Sequence, residues 1–290
     1  MENRINIGIW GKGIVGSATG ELFESQASSK VDVVYYDKYK NIGSKVDLVE
    51  KCDFIFLCLP TPMKVTGEVC LDYIEASIKE IAALTEKKKV LIVRSTAVSG
   101  STDMFAQKFK KFEFVFCPEF LTEKHAVDDM QNASRVVIGA ENDMTYEAVK
   151  SIFQYAYGEK ISYVKLTRKE AETLKYISNI MLASQVIIAN ELYFICEKID
   201  VDYEKLRDQL KYDGRIGTHN QVPGDDGDFG FGGKCFPKDL AAFIYLAKQN
   251  GYEPKVLEEI MQMNEKVRIK KDWLDIAGAV ECNKKFKTHD

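Results

Sequence analysis

Much of what narrows this sequence down is missing from it. No block of basic residues interrupts the chain, and 40 Lys and Arg against 44 Asp and Glu leave a net charge of −4 over 290 residues. The electrostatic footprint of a nucleic-acid binder is therefore lacking. No apolar stretch approaches the ~20 residues that span a bilayer, so no membrane partner is expected. The opening MENRINIGIWGKG has neither the charged nor the apolar region of a secretory signal. Cys52, Cys58, Cys70, Cys117, Cys196, Cys235 and Cys282 are scattered, with no C-x-x-C pair. That spacing indicates neither a disulfide framework nor a zinc site; reduced thiols, a cytoplasmic location and no bound metal are expected. Repeats and low-complexity segments are absent too, and only the end KKFKTHD reads as a fraying tail.

What is present falls into two halves, and the length allows one large domain or two ordinary ones. The apolar run Arg4–Trp10 leads straight into Gly11-Lys12-Gly13-Ile14-Val15-Gly16, and Ser17–Glu24 reads as the opening of a helix. Strand, G-x-G-x-x-G and helix in that order form a dinucleotide fingerprint. Gly11 makes the tight turn, Gly13 admits the pyrophosphate to the backbone, and Gly16 lets helix and strand pack closely. The phosphates then meet free N–H groups at a helix N-terminus. A second strand, Val31–Tyr36, ends at Asp37, whose carboxylate suits an adenosine ribose and repels a 2′-phosphate. NAD is thus favoured over NADP, with Lys38 working against that preference. Further strands at Phe54–Leu59, Val90–Val93, Phe112–Phe116 and Arg135–Ile138 alternate with helical stretches such as Leu71–Leu84. This rhythm predicts a parallel, doubly wound α/β sheet whose ligands lie beyond the carboxyl ends of the strands. Pro60-Thr61-Pro62, Arg94-Ser95-Thr96 and Cys117-Pro118-Glu119 follow strands and become the segments to inspect, although each alone is ordinary turn chemistry.

From Thr167 to Lys198 the chain has no proline or glycine. It predicts one helix of roughly 48 Å, long enough to cross a domain or form a dimer interface. Lys175 and Asn179 stand four residues apart and share a face, to which Asn190 nearly returns. The stretch 212–228 is a loop by composition, and helices are expected over Lys238–Asn250 and Pro254–Lys271.

Between that loop and those helices lies GFGGKCFPKD, Gly230 to Asp239. Pro237 suits a first helical turn, and Asp239 falls in the same turn. Cys235 would then sit at the positive end of a helix dipole, with Lys234 and Lys238 adding charge, all of which favours thiolate. A lone glycine-flanked cysteine is more often an inert small hydrophobe. The fingerprint in the first half tips the balance toward a nucleophile.

With GKGIVG, LPTPM, RSTAVSGST, PEFLTE, AETLKYISN, GRIG and GFGGKCFPKD in this order, the chain resembles the nucleotide-sugar dehydrogenases, the family of UDP-glucose and GDP-mannose 6-dehydrogenases. The resemblance implies a Rossmann-type NAD-binding domain over 1–165, an all-helical dimerisation and catalytic domain over 166–272, and a short tail over 273–290. It implies two successive NAD⁺-dependent oxidations of a nucleotide sugar's primary alcohol, UDP-glucose to UDP-glucuronate foremost, through a cysteine-bound intermediate. Cys235 would be the nucleophile, and Lys175 and Asn179 would hold the oxyanion or a bridging water. Asp239 would handle protons with Lys175, while Thr96 and Glu119 would place the hydrolytic water. NAD would lie against Gly11, Gly13, Ile14, Val15, Gly16, Asp37, Lys38, Pro60, Thr61 and Thr96. The sugar would meet Glu119, Phe120, Leu121, Glu123, Lys175, Asn179, Phe231, Gly232, Gly233 and Phe236. Arg215 would reach the substrate of the other subunit of a homodimer.

The chain also departs from the family pattern. Lys124 and His125 stand where a glycine usually follows Glu123, and the stretch between Pro223 and Gly230 is long. The family pattern continues into a second nucleotide-gripping domain, and the resemblance implies a short form without it. Two other readings compete: a single-step 3-hydroxyacid dehydrogenase, which would leave Cys235 idle, and a non-catalytic NAD-binding dimer, against which the intact Cys235, Lys175, Asn179 and Asp239 speak.

Overall fold

In the computed structural model, residues 4–64, 66–214, 216–217, 219–233 and 235–276 are described. Arg215, Lys234 and the tail beyond 276, each singled out above, lie outside them. The chain divides into two compact units. The first runs to Thr61 and resumes over Leu71–Lys175; the second takes Pro62–Cys70 and the chain from Tyr176 onward. The division therefore passes through a helix, and nine residues of the first half belong to the second unit.

Unit 1 is built on seven strands: β1 (Ile5–Trp10), β2 (Val31–Tyr36), β3 (Phe54–Leu57), β4 (Val90–Val93), β5 (Glu113–Phe116), β6 (Arg135–Gly139) and β7 (Ser162–Leu166). They lie in the order β2-β1-β3-β4-β5-β6-β7. The first five are parallel, but β6 pairs antiparallel to β5 through Phe116 and Gly139, and β7 is parallel to β6. The expected all-parallel sheet is corrected at this edge. Only a short 3₁₀ turn (Glu123–His125) and the short helix α5 (Ala126–Gln131) link β5 to β6, and an antiparallel neighbour needs no long crossover.

Side chains alternate between two cores. Ile7, Ile9, Phe56, Ile92 and Val115 face one cluster with Ala18, Leu22 and Phe23 of α1 (Ile14–Gln26) and Val149, Ile152 and Phe153 of α6 (Asp143–Tyr157). Trp10, Ile55, Leu57, Leu91, Val93, Phe114 and Phe116 face the other, with Leu48 of α2 (Lys45–Lys51), Ile74, Ile78 and Ile81 of α3 (Asp72–Leu84), and Phe105 of α4 (Ser101–Lys108). Covering both faces explains why the central strands read as unbroken apolar runs. The order reverses between β1 and β3, which sets the switch point of the doubly wound sheet beside Gly11.

Helix α7 (Arg168–Lys198) is 31 residues long. Its most apolar 18-residue window has a mean hydropathy of 1.4. By length and composition alone it is able to cross a membrane, which corrects the expectation that no stretch comes close. Its buried Glu172, Lys175, Asn179 and Asn190 are bonded to protein groups, as polar groups withdrawn from water must be.

Unit 2 is helical: α7 from Tyr176 on, α8 (Tyr203–Leu210), α9 (Phe236–Gln249) and α10 (Lys255–Val267). Tyr193, Tyr203 and Phe229 pack with Ala189 and Val222, and Tyr176 stacks on Phe243 at 5.9 Å between ring centroids. Helix α10 stops four residues short of the expected Lys271, because Arg268 turns extended at ψ 127°. The segment 62–70 folds back through the Met63–Val69 bridge, with Gly67 against α9 at Ala241. Cys70 is disulfide-bonded, whereas Cys52, Cys58, Cys117, Cys196 and Cys235 are in no disulfide. Among the described residues, the expectation of reduced thiols is corrected at Cys70.

Candidate functional site

The glycine fingerprint wraps the switch point of unit 1. Gly11 has φ +101°, and a Cβ there would lie 2.3 Å from the Cys58 carbonyl oxygen. A Cβ on Gly16 would lie 1.9 Å from the Gly11 carbonyl oxygen. At either position a side chain would force the neighbouring backbone to shift. Gly13 is the N-cap of α1 and would meet nothing within 4 Å. No side chain caps this helix and its first turn holds no acid, so its orphan N–H groups open onto free space. That is what a pyrophosphate requires. Ile14 is exposed and Val15 half-buried beside them.

Asp37 follows β2. Its Oδ2 accepts from the Lys12 N–H at 2.7 Å, and its Oδ1 accepts from the N–H groups of Tyr39 and Lys40, both at 2.9 Å. A carboxylate offers about four acceptor positions, so Oδ2 keeps one for a ribose hydroxyl. The nearby cations are occupied: Lys40 Nζ donates to the Lys12 carbonyl, and Lys12 Nζ lies 3.9 Å from the Tyr35 ring centroid. Lys38 is exposed. The cradle therefore fits an NAD-type dinucleotide.

At the ends of β3 and β4, the Ser95 hydroxyl accepts from the Leu59 N–H at 2.7 Å and donates to the Leu57 carbonyl. This ties exposed Pro60 and buried Thr61 to the segment bearing half-buried Thr96. Glu172 holds the far side of that segment. Its carboxylate accepts from the Gly100 N–H, the Thr102 N–H and the Thr102 hydroxyl at 2.6, 2.8 and 2.6 Å. Burial pushes the Glu172 carboxyl up to about 7, with those hydrogen bonds pulling the other way. Beyond β5, buried Arg94 donates to the carbonyls of Cys117 and Pro118. The next residue, Glu119, forms an ion pair with Lys175 at 3.0 Å, with both side chains about nine-tenths buried. Its other oxygen accepts from the Leu121 N–H at 2.9 Å, and Lys175 Nζ stands 5.6 Å from the Phe120 ring centroid. Unit 1 thus brings Glu119, Phe120, Leu121 and Lys175 together, while Glu123 sits exposed in the 3₁₀ turn.

Unit 2 holds the cysteine motif. Cys235 is the N-cap of α9, exposed, with Pro237 in the first turn, and its carbonyl accepts the Asp239 N–H at 2.9 Å. The expected helix start is there. Asp239 is buried between two partners: Lys238 Nζ at 2.5 Å from Oδ1, and Asn179 Nδ2 at 2.5 Å from Oδ2. Lys238, expected to lend its charge to Cys235, is therefore balanced by Asp239, and the carboxylate paired with Lys175 is Glu119. Phe231 is buried and meets Phe236 edge-on at 6.1 Å. Gly232 and Gly233 lie in the loop before Cys235. Of the residues that tie the two units' own loops down, Glu172 in unit 1 and Asn264 and Arg268 in unit 2 were not singled out from sequence, and Arg94 and Ser95 of unit 1 only as part of a strand-end segment. Their only signal is a polar residue at a strand end or within an apolar helix.

Models of the UDP-glucose/GDP-mannose dehydrogenase family match twice, its NAD binding domain over residues 41–157 and its central domain over 169–266. UDP-glucose 6-dehydrogenase TuaD of Bacillus subtilis is 31% identical, covering 91% of this chain and 63% of that protein. UDP-glucose 6-dehydrogenase AglM of Haloferax volcanii is 32% identical, covering 76% of this chain and 54% of its own. The chain thus spans about half to two thirds of the curated relatives it matches. Among solved structures, a UDP-glucose dehydrogenase from Pyrobaculum islandicum superimposes with a TM-score of 0.78 at 25% identity, covering 91% of this chain and 68% of that one.

Proposed function

Since the chain belongs to the UDP-glucose/GDP-mannose dehydrogenase family, we propose that it oxidises the C6 alcohol of a nucleotide sugar, UDP-glucose foremost, to the carboxylate. The observation that carries the reading is Cys235, an exposed thiol at the N-cap of a helix, directly after a glycine-rich loop. NAD⁺, held by Gly11, Gly13, Gly16 and Asp37, would take up two electrons and a proton at each of two oxidations.

Cys235 makes a four-electron oxidation manageable. Its thiolate adds to the aldehyde carbon, forming a C–S bond, so the intermediate stays bound as a thiohemiacetal. At the next oxidation level this is a thioester. Water adds to its carbonyl, the C–S bond breaks, the thiolate returns and the carboxylate leaves. The balance is RCH₂OH + 2 NAD⁺ + H₂O → RCOO⁻ + 2 NADH + 3 H⁺. In this reading the Lys175 ammonium and the Asn179 amide donate to the developing oxyanion, each worth about 3 kcal/mol. Thr96 and Glu119 place the water, and Asp239 takes part in proton transfer, for about 10²–10⁴-fold.

We extend the proposal to a homodimer. Ile177, Met181, Ile188, Leu192 and Ile195 are all at least 46% exposed and recur at helical spacing on α7, a stripe suited to burial against a second copy. Arg215 reaching across subunits and a cytoplasmic location belong to the same reading.

The test is NADH released per sugar consumed, across a panel of UDP- and GDP-sugars with NAD⁺ and NADP⁺. Two NADH and a uronate are expected, with NAD⁺ preferred. One NADH per substrate would favour a single-step dehydrogenase, and NAD⁺ binding without turnover would favour the non-catalytic dimer.

A further inference from the structure

The run 229–233 before Cys235 belongs to no helix or strand, yet side chains bond several of its backbone groups. Gly230 N–H donates to Asn190 Oδ1 of α7 at 3.0 Å. Asn264 of α10, fully buried, takes Phe231 from both sides: Oδ1 accepts its N–H at 2.7 Å and Nδ2 donates to its carbonyl at 3.0 Å. Gly233 N–H donates to Asp272 Oδ2 at 3.0 Å. Phe229 N–H donates to Asp228 Oδ1 at 2.8 Å, and its carbonyl accepts from Arg268 at 3.4 Å.

Arg268 joins these contacts. It is 4% exposed, and its guanidinium also reaches Asp226 at 2.7 Å, Asp272 at 3.2 Å and the Lys270 carbonyl at 2.9 Å. Asp228 closes the ring, accepting from the N–H groups of Ile269 and Lys270. Asn264, Arg268 and Asp272 recur every fourth residue, two of them beyond the end of α10. Their bulk also dictates the glycines. A Cβ on Gly232 would lie 2.1 Å from Arg268 Nη2, one on Gly230 would lie 2.3 Å from Asn264 Oδ1, and Gly230 and Gly233 have φ of +66° and +69°.

We infer that Asn190, Asn264, Arg268 and Asp272 are positioning residues for Cys235. They touch no reacting atom; they fix the backbone that presents the thiol at the start of α9. An amide that pairs with both the N–H and the C=O of one residue substitutes for a neighbouring strand, so a loop is held as firmly as regular structure. A nucleophile gains from such fixing, since a displacement of about 1 Å costs about 10²-fold in rate. The inference rests on the reading of Cys235 as nucleophile.

Three measurements on the full chain and on Asn264→Ala and Asp272→Ala test it. Amide hydrogen exchange should show 229–233 protected to the level of the flanking helices. In Asn264→Ala the exchange there should rise at least tenfold while the sheet peptides of unit 1 are unchanged. Iodoacetamide alkylation of Cys235, followed by peptide mass, should slow at least fivefold as the thiol leaves the helix N-terminus. With UDP-glucose, kcat should fall about 10²-fold in Asn264→Ala and less in Asp272→Ala, while KM for NAD⁺ stays within twofold. Asp272 is 38% exposed, so its variant serves if loss of Asn264 unfolds the protein. Rapid exchange of 229–233 in the unmutated chain, or faster exchange with an unchanged or raised alkylation rate, overturns the inference. Exchange and alkylation need no turnover, so an inactive wild type would sink the proposed function and leave this inference to those two readouts.

Discussion

Unit 1 and unit 2 hold their candidate sites by opposite means. In unit 1 the fixed points of the dinucleotide cradle are backbone: strand ends in register, a positive-φ glycine at the switch point, and an uncapped helix N-terminus. Side chains there sit on a frame that two apolar cores already hold rigid. In unit 2 the loop before Cys235 has no ladder of its own, and asparagine, arginine and aspartate side chains replace one. Both are ways of preorganising a site, but they fail differently. A sheet loses its geometry only when its core goes, whereas the cysteine loop depends on a few buried hydrogen bonds, each worth about 1 kcal/mol net and more when one partner is left unmade.

Three changes separate the jobs of the two units. The largest effect is expected from Cys235→Ser, which should lower NADH formation by about 10³-fold or more, as deletion of a nucleophile does. NAD⁺ binding by fluorescence or calorimetry should not change; if it weakened as well, the cysteine would serve the dinucleotide and the division of labour would be wrong. Gly16→Ala is the converse change. With a Cβ 1.9 Å from the Gly11 carbonyl, NAD⁺ affinity should drop by about 10²-fold through loss of the helix–strand approach. The alkylation rate of Cys235 should hold, and unaltered NAD⁺ affinity would contradict the cradle.

The smallest effect is a contrast in pH. Burial raises the Glu172 carboxyl in unit 1 to about 7, so the folded state binds a proton that the unfolded state releases near its ordinary 4.5. That contribution is complete below the ordinary value and is lost as pH rises through about 7, at no more than about 1.4 kcal/mol per pH unit. Asp228 in unit 2 is the opposite case. Burial alone would raise it, but the N–H groups of Lys270, Ile269 and Phe229 and the Arg268 charge hold it below the usual carboxylate range. Its contribution is present above that range and fades in acid. Exchange-detected unfolding should therefore show unit 1 weakening between pH 5 and 7, and unit 2 weakening below about 4. Glu172→Gln should flatten the first trend; a slope that persists in the variant would assign it to another group.

The same contrast sorts what the sequence reveals. Strands β1 to β6, the long α7, the fingerprint and the α9 start at Cys235 were legible, because each is written in a local pattern of apolar period, glycine or proline. The antiparallel turn into β6, the strand β7, the early end of α10 and the side-chain partners of 229–233 were not. Ser162–Leu166 carries lysine and serine at its exposed positions and so makes a weak apolar run. Asn264 lies 33 residues from the Phe231 it serves, and nothing near Phe231 announces it. Asp239 is legible as a first-turn residue, but its pairing with Lys238 and Asn179 is a tertiary matter.

The excursion of Pro62–Cys70 into unit 2 bears on how the protein can be taken apart. The polypeptide passes from one unit to the other three times, so neither unit is a single stretch of chain. A fragment cut before α7 would carry nine residues whose packing partners on α9 have been removed, and the complementary fragment would leave α9 exposed at Ala241 and Tyr245, where Gly67 lies. Dissection would need the segment grafted onto the second fragment and a short bridge joining Thr61 to Leu71 in the first. The order of synthesis meets the same constraint: residues 62–70 emerge well before α9 and can settle only after that helix has been made.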